Sequence, residues 1–198
     1  MGRLLARGVA DGVSDRARLF VALDLDDDAR SALARWQADI VSSDPGIRSV
    51  PLDALHVTLC FLGLRALEEV DAIAAACAIR SGATIKCLRL GEAIWLPRRR
   101  PRVLAVAIED ETGALGRVQS AIAGALSAAG WYRPEPRRFL AHVTVARVAG
   151  DRRLRGASPS PPPPPLSLAE TATVTLYRSH LSPGGSRYEA LRIVPIDR

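Results

Sequence analysis

The tetrapeptide His56-Val57-Thr58-Leu59 returns further along the chain as His142-Val143-Thr144-Val145, and the two copies use two of the three histidines in 198 residues. Each copy lies among β-branched and apolar neighbours and reads as a strand. Side chains alternate along a strand, which sets His56 and Thr58 on one face and Val57 and Leu59 on the other. The same holds for His142 and Thr144 against Val143 and Val145. The apolar members can enter a core while each His–Thr pair faces a shared surface. If the two strands lie side by side in related lobes, two imidazoles and two hydroxyls converge.

The surrounding pattern is α+β, with strands outnumbering helices. Arg18 to Leu23 reads as a short buried strand, and Asp24 to Asp28 supply acidic residues suited to opening a helix over Ala29 to Ile40. Asp44-Pro45-Gly46 ends that helix in a turn. A strand is expected over Leu55 to Leu62, a helix over Leu67 to Ile79 and a strand over Thr84 to Leu90. Ile94 to Leu96 and Arg102 to Ile108 form a hairpin across Pro97-Arg98-Arg99-Arg100-Pro101. Ala114 to Ala129 is a third helix closed by Gly130. Strands follow at Arg138 to Val148, Ala172 to His180 and Tyr188 to Val194. Residues 1–15 read as an extension preceding one domain over 16–198. The proline-rich stretch at 157–165 cannot donate ladder hydrogen bonds and reads as a surface connector, with a docking site for a proline-recognising module as the alternative.

Composition narrows the class. Hydrophobic residues make up 48% and charged residues 24%, as in an ordinary soluble domain and unlike a disordered or fibrous chain. No apolar run reaches the roughly 18 residues that would span a bilayer, and no secretory signal stands out, so the expected location is cytoplasmic. Cys60, Cys77 and Cys87 are odd in number and lack Cys-x-x-Cys spacing, so reduced thiols are expected rather than a disulfide framework or a zinc knuckle. The net charge of +6 permits a polyanionic partner such as RNA. It does not demand one, because Lys86 is the only lysine and such an arginine skew can reflect coding bias.

Paired histidines suit phosphodiester hydrolysis. One imidazole can activate water and another protonate the leaving oxygen, since histidine titrates near neutral pH. The threonine hydroxyls can donate to the non-bridging oxygens. A zinc site would need three or four ligands, and Asp53 is the nearest carboxylate in sequence. A serine triad would need a Gly-x-Ser-x-Gly turn, which is absent. Two separate core histidines would leave the repeated pairing without a cause. By strict alternation Cys60 shares the face of His56 and Thr58, where a nucleophilic thiol is the sharp alternative to a buried one, and Phe61 belongs with the core. Alternation also sets Arg147 opposite His142 unless the strand bulges, leaving its role open between structural anchor and ligand contact. His180 reads as structural. Arg98 to Arg100 read as a solvated loop, with RNA-backbone contact as the alternative.

These features resemble the two-histidine (2H) phosphoesterase superfamily, most closely its RNA 2′,3′-cyclic phosphodiesterase branch, also called 2′-5′ RNA ligases. The likeness rests on the two His-x-Thr-x motifs in their contexts, His56 to Gly63 and Phe139 to Arg147. It extends to the opening strand Arg18 to Leu23, to Pro101 to Leu104, and to Ser179, Leu181, Gly185 and Tyr188. Ala141 stands where the family commonly has proline, and Cys60 where a basic residue is frequent. The resemblance implies two pseudo-symmetric lobes, each a mostly antiparallel sheet with helices outside, around a central cleft. It implies hydrolysis of RNA or nucleotide 2′,3′-cyclic phosphate ends to 2′-phosphates, without metal or other cofactor. His56 would be the proton donor, His142 the proton acceptor, and Thr58 and Thr144 the phosphate ligands, although the near-symmetry of the residues does not by itself fix donor and acceptor. A monomer with no obligate protein partner and no membrane association is expected. Hydrolysis of another small cyclic phosphate, or RNA binding without chemistry, are the competing functions.

Overall fold

The computed structural model describes residues 15–78, 85, 88–150, 164, 173–182 and 185–195. The expected extension at 1–15 and the proline-rich stretch therefore lie almost wholly outside the described residues.

Eight strands form one curled, wholly antiparallel sheet among the described residues. They are β1 (Arg16–Asp24), β2 (Ile47–Ser49), β3 (His56–Ala66), β4 (Arg89–Leu96), β5 (Val103–Glu109), β6 (His142–Val148), β7 (Thr173–Ser182) and β8 (Gly185–Pro195). Three helices accompany them: α1 (Asp27–Ser43), α2 (Val70–Cys77) and α3 (Ala114–Ala128). The strand order β4-β5-β6-β3-β1-β7-β8, with β2 also pairing to β6, divides the sheet into two halves. One half is β3-β1-β7-β8 and the other is β4-β5-β6-β2. They meet at the motif strands, where Val57 pairs with Val143. Those valines stand between His and Thr in each copy, and the strands run antiparallel. The histidine end of one copy therefore lies beside the threonine end of the other.

The helices cover the face opposite the motif polar groups. Ala29, Ala32, Leu33 and Gln37 on α1 recur at helical spacing and are buried, as are Leu115, Val118, Ile122 and Leu126 on α3. They close over Leu19, Val21, Val57, Leu59, Leu104, Val106, Val143, Val145 and Leu176, all of them in one continuous core. Helix α1 follows β1 but packs on β6, and α3 follows β5 but packs on β3, so each half of the sheet is backed by a helix grown from the other. Asp26 caps α1 by accepting from the Ala29 amide at 2.7 Å, satisfying a donor that the first turn leaves unpaired.

Several sequence-derived bounds change. The separate strands expected over Thr84 to Leu90 and Ile94 to Leu96 are one strand, β4, starting at Arg89; residues 84, 86 and 87 lie outside the described set. Gly91 does not end a strand but sits in a bulge between Leu90 and Ala93, a common use of glycine in a ladder. β6 starts at His142 rather than Arg138. β3 runs on to Ala66, past Gly63 with its positive φ of 72°. The helix expected from Leu67 opens with a turn of 3₁₀ helix and becomes α-helical at Val70. No helix among the described residues is long and apolar enough to cross a membrane.

Candidate active site

His56, Thr58, His142 and Thr144 line one open cleft. The local geometry of the two copies is nearly the same. His56 Nδ1 lies 2.8 Å from the carbonyl of Ala54, and His142 Nδ1 lies 2.8 Å from the carbonyl of Leu140. Both carbonyls belong to the residue two places before the histidine. A carbonyl only accepts, so Nδ1 carries the proton and the neutral ring leaves Nε2 with a free lone pair. In the first copy that lone pair takes the Thr58 hydroxyl at 3.0 Å.

Strict alternation fails just beyond each motif, and in the same way. On β3, Cys60 pairs with Val21 and Thr58 with Ala22, leaving Leu59 as an extra residue. On β6, Ala146 pairs with Leu104 and Thr144 with Ala105, leaving Val145 extra. One inserted residue reverses the parity of everything after it. Cys60 is therefore buried in the core at 1% exposure, while Phe61 is 54% exposed and joins the cleft wall. This corrects the faces that strict alternation gave these two residues, and bears out the buried thiol at Cys60. The matching bulge on β6 turns Arg147 toward the face of His142 and Thr144, and it too lines the cleft. Phe61 and Arg147 occupy equivalent places, each the fifth residue after its histidine.

Each bulge is propped from behind by a glutamine. Gln37 of α1 is buried and donates through Nε2 to the carbonyls of Val145 and, at 2.8 Å, Val50. Gln119 of α3 donates to the carbonyl of Leu59 at 3.3 Å. Leu59 and Val145 are the extra residues. A buried carbonyl without a donor is costly; Gln119 supplies one at Leu59, while the Val145 carbonyl accepts from the Val50 N–H at 2.9 Å as well as from Gln37.

The surroundings of the two histidines differ. Rings enclose His56: Phe20 at 4.9 Å and Tyr188 at 5.1 Å between centroids, with Tyr177 at 6.3 Å. Burial pulls its pKa down to about 4, opposed by the Ala54 carbonyl and Asp24 and reinforced by Arg147 and Arg30. Asp24 is the register partner of His56 on β1. It accepts from Thr175 at 2.6 Å and from the Tyr177 hydroxyl at 2.7 Å. Burial and then that carboxylate push Tyr177 up to about 12, so it stays a neutral donor at any ordinary pH. Among the described residues His142 has no comparable ring enclosure.

The other candidates fall elsewhere. The Cys60 and Cys77 thiols are buried, and burial raises both to about 12, the opposite of an activated nucleophile. Cys87 lies outside the described residues. Asp53 is exposed on a 3₁₀ turn away from the cleft wall. Among the described residues no three His, Cys, Asp or Glu side chains gather as a metal site would require. His180 is exposed and holds Glu189 at 2.8 Å. Arg98 and Arg100 are exposed at the β4–β5 turn and do not line the cleft. Arg18, Phe20 and Ser186 also line it. The sequence held their signal only in the even spacing along β1, which sets Arg18, Phe20 and Asp24 on one face.

Known proteins are similar to this chain in sequence and fold. A family model described as "LigT like Phosphoesterase" matches residues 23–104. An Escherichia coli protein named RNA 2′,3′-cyclic phosphodiesterase is 30% identical over 182 residues, covering 91% of this chain and 97% of that protein. One of the same name from Archaeoglobus fulgidus is 29% identical, covering 89% and 98%. Among solved structures, E. coli LigT in apo form superposes with a TM-score of 0.73 at 26% identity, over 93% of this chain and 100% of that one. E. coli LigT complexed with NADP+ gives 0.73 at 28% identity over the same shares.

Proposed function

The chain belongs to the LigT-like phosphoesterase family and is a cyclic phosphodiesterase of the RNA 2′,3′-cyclic phosphodiesterase class; from that premise we propose that it opens 2′,3′-cyclic phosphate ends of RNA or nucleotides to 2′-phosphates by paired-histidine acid–base catalysis. The observation that carries this reading is the convergence of both histidines and both threonines on one cleft, each histidine held by a carbonyl at Nδ1 so that Nε2 is left for the reaction.

In the proposed step His142 Nε2 takes a proton from water as the water oxygen bonds to phosphorus. The P–O3′ bond breaks, and His56 delivers a proton to O3′, leaving a 2′-phosphate and a 3′-hydroxyl. Thr58, Thr144 and the Arg147 guanidinium are donors for the non-bridging oxygens, where transition-state charge accumulates. A five-membered cyclic diester is strained, which suits so light an apparatus. His56 is neutral in the free protein, with its pKa near 4. The phosphodiester anion restores its proton, since a negative charge beside an imidazole favours the charged form. The reading calls for no metal, and for a cytoplasmic monomer built as one bilobal unit over residues 16–198.

The test is incubation of a cyclic-phosphate-ended oligonucleotide in excess EDTA, reading which hydroxyl keeps the phosphate. A 2′-phosphate formed at the metal-replete rate is expected; a 3′-phosphate, or loss of turnover restored by added metal, contradicts the reading. The neutral state of His56 favours a second reading with the roles exchanged. A substrate whose 3′ oxygen is replaced by sulfur needs no acid to leave. If His56 is the acid, that substrate rescues His56→Ala and not His142→Ala; the reverse pattern exchanges them.

A further inference from the structure

The cleft is lopsided. Beyond the motif residues, its described wall is drawn from β1, β7 and β8, and it continues along β1 to Arg18, past Phe20, to Ser179 and Ser186. The wall holds two arginines and no carboxylate. Arg147 stands beside His142 and Thr144 at one end; Arg18 stands at the other.

Register fixes the separation. Thr58 pairs with Ala22 on β1, and Arg18 is four residues further along that strand, roughly 13 Å at the usual rise of a strand. That spacing between backbones sets Arg18 along the cleft from the phosphate position of Thr58 and His56. It is about the distance at which the guanidinium meets a second phosphate one nucleotide away. Phe61, exposed and stacked on the buried Phe20 across β3 and β1, lies between the two positions, giving the nucleoside an apolar wall. Ser179 is the direct partner of Arg18 on β7, and Tyr188 is the partner of Ser179 on β8. A cation, a hydroxyl and a phenol thus form one row across three strands. Arg18 is exposed, and no ion pair or hydrogen bond occupies its guanidinium among the described residues.

We propose that Arg18 and Ser179 form a second phosphate subsite that holds the 5′-phosphate of the terminal nucleotide, so that the enzyme is built for nucleic acid chains and 5′-phosphorylated nucleotides rather than bare nucleoside cyclic phosphates. This rests on the reading of the histidine cleft as the reaction site. The terminal nucleoside lies over Phe61, its cyclic phosphate between the His–Thr pairs and its 5′-phosphate at Arg18. An arginine facing phosphate can make two parallel charge-assisted hydrogen bonds, which a mononucleoside lacking that phosphate forgoes.

The test compares kcat/KM for adenosine 2′,3′-cyclic phosphate with that for the same molecule carrying a 5′-phosphate. The wild type is expected to favour the 5′-phosphorylated form by roughly tenfold or more, the scale of one charge-assisted contact in an exposed groove. Arg18→Gln brings that ratio close to one, Arg18→Lys keeps part of it, and Ser179→Ala reduces it less. The salt dependence for the 5′-phosphorylated substrate should flatten by about one counterion in Arg18→Gln. A wild-type ratio near one, or a ratio that survives Arg18→Gln, overturns the subsite. Calorimetric binding of adenosine 2′-phosphate, with and without a 5′-phosphate, gives the same ratio independently of turnover. If neither cyclic substrate is hydrolysed while the binding ratio behaves as expected, the catalytic reading fails and the subsite stands.

Discussion

The two halves of the sheet carry the same motif and the same bulge, yet they build unlike walls. On the β3 side His56 is packed among Phe20, Tyr177 and Tyr188, and the residue turned outward by the bulge is Phe61. On the β6 side the described wall holds His142, Thr144 and a guanidinium, Arg147, at the place equivalent to Phe61. Backbone geometry is shared because the same parity change is needed twice. In the proposed function the side-chain chemistry diverges because the two walls would face different parts of a substrate: an apolar nucleoside on one side, an anionic phosphate on the other. On that proposal a pseudo-symmetric frame serves a reaction that is not symmetric, in which one imidazole gives a proton and the other takes one.

The largest expected effect tests whether the halves are equal partners. His56→Ala and His142→Ala should each lower turnover of a cyclic-phosphate-ended oligonucleotide by about 10²–10⁴-fold in steady-state assays, the usual contribution of a general acid or base. A near-normal rate in either variant would leave one half without a catalytic role.

The next effect separates the halves by burial. Holding His56 neutral down to about pH 4 against an ordinary value of 6.5 means that the unfolded chain binds a proton the folded one refuses between those limits. Stability from this group is therefore present above pH 6.5 and is lost as pH falls through 4. The loss is on the order of 3 kcal/mol, at 1.36 kcal/mol per pKa unit. Urea unfolding of wild type and His56→Asn across that window should show a steeper acid loss in the wild type; parallel curves would mean His56 is not enclosed as described.

A smaller effect probes the props behind the bulges. Gln37→Leu takes the side-chain amide from the Val50 and Val145 carbonyls, the second of which keeps the Val50 N–H, and should cost about 1–3 kcal/mol of stability. It should also raise KM more than it lowers kcat, because Arg147 loses its fixed approach to the phosphate. Gln37→Glu, which removes the donor but keeps the shape, should not rescue it. The smallest expected effect concerns the ring wall: Tyr188→Ala admits water to His56, and the acidic limb of the kcat/KM profile should move up from near pH 4 by about one unit. An unmoved limb would assign that limb to another group.

The doubled motif, the α+β class and most element positions were legible from the sequence, because hydrophobic period and turn residues report local structure directly. The bulges were not. Counting by twos placed Cys60 in the cleft and Phe61 in the core, and nothing in Leu59-Cys60 or Val145-Ala146 announces an extra residue. What sustains the bulges sits on α1 and α3, helices that only the tertiary fold brings behind β6 and β3. The same limit hid the Asp24–Thr175–Tyr177 cluster, whose members are close only because β1 and β7 are register partners. Arg147 shows the gain from the fold: alternation alone set it opposite His142, and one inserted residue turns it to the same face.

The central claim is that both imidazoles address a single phosphorus atom. It is tested most directly by following the three histidine ring signals by NMR while titrating adenosine 2′-phosphate, the product of the proposed reaction. His56 and His142 should shift together along one saturation curve, with His180, which holds Glu189 away from the cleft, unmoved. Movement of one motif histidine alone, or two curves with different midpoints, would contradict the claim.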